Sequence, residues 1–117
     1  MYNFTKLDGE EIVLISDNSI LKMEEKELLI STIITNKRMI LLDFPNKSKN
    51  YEEMMRISRG MDYIMKKEPI LIITLHDILT IVEENGFDKY VLSNLDYFYL
   101  NDADIKNKIK ETSMRLS

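Results

Sequence analysis

The sequence predicts a small, mainly antiparallel β-domain folded as a barrel, and three observations carry this prediction. Residues 28–44 place two strongly β-prone runs around the polar turn Thr35-Asn36-Lys37-Arg38. Asn85-Gly86, the strongest hairpin signal in the chain, separates LTIVEE from FDKYVLS. Between these two blocks, at residues 46–69, the hydrophobic period changes from that of a strand to that of a helix.

The strand segments fall into two groups, one on each side of this insert. The first group has Asp17-Asn18 as its first predicted turn and ends at Pro45 and the polar run NKSKN. The second group begins after Pro69. The predicted strands are 12–16, 19–23, 27–35 and 38–44 in the first group, and 70–74, 79–84, 89–93 and 97–100 in the second.

Two helices complete the prediction. The insert helix covers residues 51–68, with Asn50 as its N-cap and Pro69 as its stop. Its apolar positions share one helical face: Met54, Ile57, Met61, Ile64 and Met65. The C-terminal helix covers residues 102–116, with Asn101 as the expected cap and an apolar stripe of Ile105, Ile109 and Leu116.

Composition indicates one soluble domain spanning residues 1–117. The chain is 44% hydrophobic and 31% charged, and no apolar run reaches the roughly 18 residues that cross a bilayer. We expect a cytoplasmic protein, because there is no secretory signal and no cysteine. Abundant isoleucine, lysine and asparagine, with Ala103 as the only alanine, favour an AT-rich bacterial genome.

The charge distribution argues against nucleic-acid binding. The net charge is −4, and only residues 46–68 are positive, with six basic and four acidic side chains, a net of +2. A nucleic-acid-binding domain usually carries a broad basic face. We therefore expect a protein partner or a second copy of the chain instead.

Several strands are apolar on both faces. Ile12 and Leu14 alternate with Val13 and Ile15, and the run 70–73 is apolar throughout. An open antiparallel sheet normally keeps polar residues on one side. Because two short helices can cover only part of such a sheet, the pattern predicts self-association.

The chain resembles pleckstrin-homology-like (PH-like) domains of the GRAM or bacterial PH type. The matching pieces are GEEIVL, the hairpin ELLISTIITNKRMILL, the stretch ITLHDILTIVEENGFDKYVLS, and the ending YFYLNDADIKNKIKE. The resemblance covers most of residues 9–111 and implies a seven-stranded antiparallel bent barrel with a C-terminal helix; the helical insert at 46–69 departs from it. PH-like domains that bind phosphoinositides carry basic residues on their first strands and the loop joining them. The corresponding turn here, residues 16–19, has no positive charge, which disfavours lipid binding there.

Catalysis and metal binding find little support. His76-Asp77 holds the only histidine, and the pair reads as a polar turn between two strands, with no catalytic or metal-binding role. Adjacent acidic residues on a strand point to opposite faces, so they do not form a paired-carboxylate site. We expect these pairs to be solvated: Glu10-Glu11, Glu24-Glu25, Glu52-Glu53 and Glu83-Glu84. No cofactor is expected.

The methionine-rich insert is the one segment with candidate binding residues: Met54, Met55, Arg56, Arg59, Lys66 and Lys67. Methionine surfaces adapt to varied partners. The alternative is that the apolar side of the helix simply covers the barrel. The leading hypothesis is a non-catalytic PH/GRAM-like module that acts through protein–protein contact or self-association. A peripheral lipid-binding module using the basic insert is the second hypothesis, which the small charge excess disfavours, and a small enzyme around His76 is the third.

Overall fold

Seven antiparallel strands form one sheet in the computed structural model, which describes residues 4–42 and 68–113. The described residues also form a 3₁₀ turn, Leu75–Asp77, and a helix, α1, Ala103–Thr112. The predicted mainly antiparallel fold with a C-terminal helix is therefore confirmed. It has seven strands, the number that the resemblance implies, because the segments 12–16 and 19–23 form one strand and not two. The strands are β1 Ile12–Met23, β2 Lys26–Thr35, β3 Arg38–Leu42, β4 Pro69–Thr74, β5 Ile78–Glu84, β6 Phe87–Leu92 and β7 Tyr97–Asn101.

The sheet is not a closed barrel, which corrects the predicted closure. Its strand order is β4-β3-β2-β1-β7-β6-β5, so β4 and β5 are the two edges of the described sheet. These two strands follow one another in the chain without pairing. Their connection, Leu75–Asp77, is a three-residue 3₁₀ turn rather than a two-residue hairpin turn, and β5 does not fold back alongside β4.

Strand β1 is continuous through Asp17-Asn18, so the turn predicted there is wrong. The pairing of β1 with β2 instead shifts register between Ser16 and Ser19, as at a β-bulge. The hydroxyls of Ser16 and Ser19 both donate to Asp102 Oδ2, each at a distance of 2.6 Å. The polar pair that suggested a turn from sequence lies within this irregularity of the strand.

Asp102, not Asn101, caps helix α1. Its Oδ1 accepts the backbone N–H of Ile105 at 3.1 Å, while Oδ2 accepts the two serine hydroxyls of β1. Ile105 and Ile109 are fully buried, as their spacing predicts. One carboxylate thus starts the helix and fixes it to the sheet.

The strands at one side of the sheet are apolar on both faces, as the sequence predicts. Paired residues in neighbouring antiparallel strands share a face. One row crosses β1 to β4 on the side of the main core, the larger apolar cluster, in which Ile105 and Ile109 of α1 pack. It consists of Leu14, Ile34, Met39 and Ile73. A second row crosses the same strands on the opposite face and belongs to a separate apolar cluster: Ile15, Ile33, Ile40 and Ile72.

Within the described residues, no helix is both long enough and apolar enough to cross a membrane.

Candidate functional site

The binding residues predicted in the insert lie outside the described residues. They are Met54, Met55, Arg56, Arg59, Lys66 and Lys67, and the predicted insert helix falls in the same part of the chain. Both interpretations of the predicted insert helix, as cover for the sheet and as a surface that binds a partner, stay predictions.

His76 lies in the 3₁₀ turn Leu75–Asp77, so the predicted polar turn is confirmed. Its side chain is exposed and lines a cavity together with Lys37 and Thr74. In residues 4–42 and 68–113, no three His, Cys, Asp or Glu side chains are grouped so that they could hold a metal ion. The absence of a catalytic role for His76 stays a prediction.

A buried ion pair joins Glu10 of the N-terminal segment to Arg38 at the start of β3. Arg38 donates from Nε to Glu10 Oε2 at 2.7 Å and from Nη2 to Glu10 Oε1 at 2.9 Å. The Thr35 hydroxyl donates to Glu10 Oε2 at 2.8 Å, and the Leu7 N–H donates to Oε1 at 3.0 Å. Glu10 is only 1% exposed, so the prediction that it is solvated is wrong.

The environment of Glu10 favours its charged form. Burial alone would raise the pKa of its carboxyl, but the hydrogen bonds from Arg38, Leu7 and Thr35 and the charge of Arg38 outweigh burial and lower it. Asn36, in the same turn, accepts the Glu11 N–H and donates to the Gly9 carbonyl. The arrangement fixes the N-terminal segment to the β2–β3 turn and is structural.

An exposed aromatic surface lies at the other side of the sheet, on β5, β6, β7, β1 and the first residues of β2. The strand register places Val82, Lys89, Tyr99, Lys22 and Glu27 in one row on a single face. Alternate residues of these strands share that face. The remaining members are Ile20, Leu29, Thr80, Glu84, Phe87, Val91, Tyr97 and Asn101, and we call the whole set the outer aromatic face.

The aromatic rings of this face contact one another and two lysines. Tyr99 meets both Phe87 and Tyr97 edge to face, with ring centroids 6.5 and 5.7 Å apart. Lys89 Nζ lies 4.4 Å from the centroid of the Tyr97 ring, and Lys22 Nζ lies 5.8 Å from that of Tyr99. The Tyr99 hydroxyl donates to Glu84 Oε2 at 2.6 Å, and this hydrogen bond raises the pKa of Tyr99 to about 12.

Large apolar side chains on this face are open to solvent. Tyr97 is 56% exposed, Leu29 53% and Val82 49%. The opposite side of the same strands holds buried Tyr90, Phe98 and Leu100. Charges of both signs accompany the exposed side chains: Lys22 and Lys89 against Glu27 and Glu84. The face can therefore supply an apolar contact with ion pairs around it.

Sequence reasoning did not select this face, although a signal for it existed. In the strand Tyr97–Asn101, the period of two puts Tyr97 and Tyr99 on one side and Phe98 and Leu100 on the other. Which side is the core depends on the position of helix α1, which no local pattern encodes.

Comparison with known proteins finds no matching family model, no similar curated protein and no similar solved structure.

Proposed function

We propose that this protein is a non-catalytic PH/GRAM-like module that works by self-association, with the outer aromatic face as the contact surface. The observation that carries the proposal is the exposure of Tyr97, Val82 and Leu29 on one face of a sheet whose other face holds the larger apolar cluster. Aromatic residues are enriched at the centres of protein interfaces, where they contribute most of the binding energy.

The charges on this face favour a second copy of the chain as the partner. In a two-fold contact the same surface faces itself, so it must be complementary to itself. Lys22 and Lys89 balance Glu27 and Glu84, and the two lysines of one protomer can pair with the glutamates of its partner. A membrane or nucleic-acid surface would instead call for an excess of positive charge.

Sedimentation velocity of the full chain and of the Val82→Arg variant tests the proposal. Wild type is expected to sediment as a dimer, with twice the protomer mass of 13.9 kDa, and Val82→Arg as a monomer, because it buries a charge in the contact. Val13→Arg is the matched control, since Val13 is 39% exposed and lies outside the face; it should remain dimeric. A monomeric wild type, or a dimeric Val82→Arg variant, would overturn the proposal.

A further inference from the structure

A cleft runs along β4 at the open side of the sheet, where closure of a barrel would have required β4 to pair. Its wider part has a volume of about 560 Å³ and its narrower part about 350 Å³. Leu71 of β4 and Leu92 of β6 line both parts, as does Asp96 of the β6–β7 turn. The two parts therefore form one groove with an apolar floor.

The walls of this groove are acidic. Glu24 and Glu25, at the tip of the β1–β2 hairpin, line the wider part, and Asp77 lines the narrower part. With Asp96 this makes four carboxylates against one cation, Lys22, whose Nζ lies over the rings of Phe87 and Tyr99. The electrostatics of the groove favour a basic ligand.

The hairpin tip keeps its two acids in an unfavourable backbone conformation. Glu24 has a φ of 50° and Glu25 a φ of 69°, in the left-handed region that side chains other than Asn, Asp and Gly rarely adopt. The equivalent two-residue turn between β5 and β6 has the favoured pair Asn85-Gly86 in the same conformation. Strain of this kind is concentrated at functional sites, and here it coincides with the acidic wall of the groove.

The groove also opens onto a strand edge. Within the described residues, β4 pairs only with β3. The Leu75 N–H donates to the Lys37 carbonyl on the β3 side, at 2.9 Å. Because main-chain groups alternate between the two edges of a strand, those of Ile72 and Thr74 point away from β3, to the edge that no described strand covers. An extended peptide can add to such an edge by main-chain hydrogen bonds.

We propose that this groove binds a basic, extended segment of a partner protein as an added strand beside β4. Apolar side chains of the segment contact Leu71 and Leu92, and its lysine or arginine side chains face the carboxylates of Glu24, Glu25, Asp77 and Asp96. The groove borders the outer aromatic face, because Lys22, Tyr97 and Tyr99 of that face also line its wider part. The proposed strand addition uses instead the edge of β4 and the apolar floor of the groove.

Fluorescence anisotropy with a labelled peptide of four Val-Lys repeats tests the inference. The full-length wild type is expected to bind this peptide, and to bind the same peptide N-methylated at alternate amides at least about tenfold more weakly, because methylation removes main-chain donors. Equal binding of both peptides would overturn strand addition, and no binding by either wild type or the monomeric Val82→Arg variant would overturn the site.

The Glu24→Asn plus Glu25→Gly variant tests the location of the site. It should fold normally, because asparagine and glycine are the residues that this type of turn favours. It should bind the peptide about tenfold more weakly. The matched control is Asp8→Asn plus Glu11→Gln, which removes the same charge from exposed positions lining neither part of the groove, and its affinity should be unchanged. Equal losses in both variants would show unspecific charge attraction and overturn the site.

The monomeric Val82→Arg variant should still bind, and binding confined to the dimer would overturn the assignment to this groove.

Discussion

Glu10 and Arg38 form a two-point ion pair in the interior, with Nε–Oε2 and Nη2–Oε1 distances of 2.7 and 2.9 Å. The pair lies 28 residues apart in sequence and joins the GEE segment to the Thr35-Asn36-Lys37-Arg38 turn. Arg38 also donates to the Thr5 carbonyl at 2.6 Å, so the N-terminal segment is bound to the sheet through one guanidinium. The ion pair thus holds the N-terminal segment to the start of β3.

Removing one partner of this pair should be strongly destabilising. Arg38→Met leaves the Glu10 carboxylate buried without its counter-ion, and we expect a loss of about 3–5 kcal/mol in the free energy of unfolding. Glu10→Gln plus Arg38→Met should lose less than Arg38→Met alone, because no uncompensated charge remains. Urea unfolding followed by circular dichroism measures both; equal losses would contradict the role of the unpaired charge.

Acid should weaken the fold through Glu10. Its pKa is lowered in the folded state from the ordinary 4.5, so the unfolded chain takes up the proton first as pH falls. The contribution of Glu10 is therefore fully present well above pH 4.5 and is lost as the pH falls below that value towards the folded pKa. Urea titrations at several pH values should show a smaller loss on acidification for Glu10→Gln than for wild type; identical pH profiles would contradict this.

Substitution of Asp102 should destabilise the protein more than substitution of its neighbour Asn101. Asp102→Ala removes the cap of α1 and leaves the hydroxyls of Ser16 and Ser19 without their acceptor, so we expect a loss of about 2–4 kcal/mol. Asn101→Ala is the control, since Asn101 is exposed and does not cap the helix. Thermal unfolding of the two variants compares them, and a larger effect at Asn101 would contradict the assignment of the cap.

The Tyr90 hydroxyl should be dispensable for stability. It is buried and has no hydrogen-bond partner in the described part of the chain, while the ring stacks on Phe98 at 5.0 Å. Burial, followed by the charges of Asp88 and Asp102, raises the pKa of Tyr90 far above its ordinary value. Tyr90→Phe keeps the stacked ring and should be neutral or up to about 1 kcal/mol stabilising in chemical denaturation; a loss above that size would reveal a partner for the hydroxyl.

Substitutions at the tip of the β1–β2 hairpin should increase the stability of the protein. Replacing Glu24 and Glu25 by Asn and Gly relieves two left-handed glutamates, and we expect a gain of about 1–2 kcal/mol in the free energy of unfolding. The reverse change at Asn85-Gly86, to Glu-Glu, should cost a similar amount. Urea unfolding curves of both variants measure the two predicted changes in stability. Unchanged stability at both turns would show that the backbone conformation carries no strain.

The sequence predicted those parts of the fold that depend on local patterns. Asn85-Gly86 and the Thr35–Arg38 turn specify their hairpins because turn residues and strand periods act over a few positions. The continuity of β1 was missed because its polar pair lies in a bulge, and Ser16 and Ser19 are partnered by Asp102, more than 80 residues away. Glu10 was taken as solvated for the same reason, since only the folded chain brings Arg38 to it.

Exposure of the outer aromatic face escaped prediction because it depends on where helix α1 docks. The main core forms on the side of the sheet where Ile105 and Ile109 pack, and Tyr97 and Tyr99 remain on the other side. The position of β4 at the edge of the described sheet was likewise not encoded locally, since it follows from the path of the chain through Leu75–Asp77.

Native mass spectrometry of two complementary variants tests self-association through the outer aromatic face. One variant carries Lys22→Glu and Lys89→Glu, the other Glu27→Lys and Glu84→Lys, so the faces become wholly negative and wholly positive. Each variant alone should be monomeric because like charges meet across the two-fold contact, and an equimolar mixture should form a heterodimer. A mixture that stays monomeric, or single variants that dimerise as wild type does, would show that the outer aromatic face is not the contact surface.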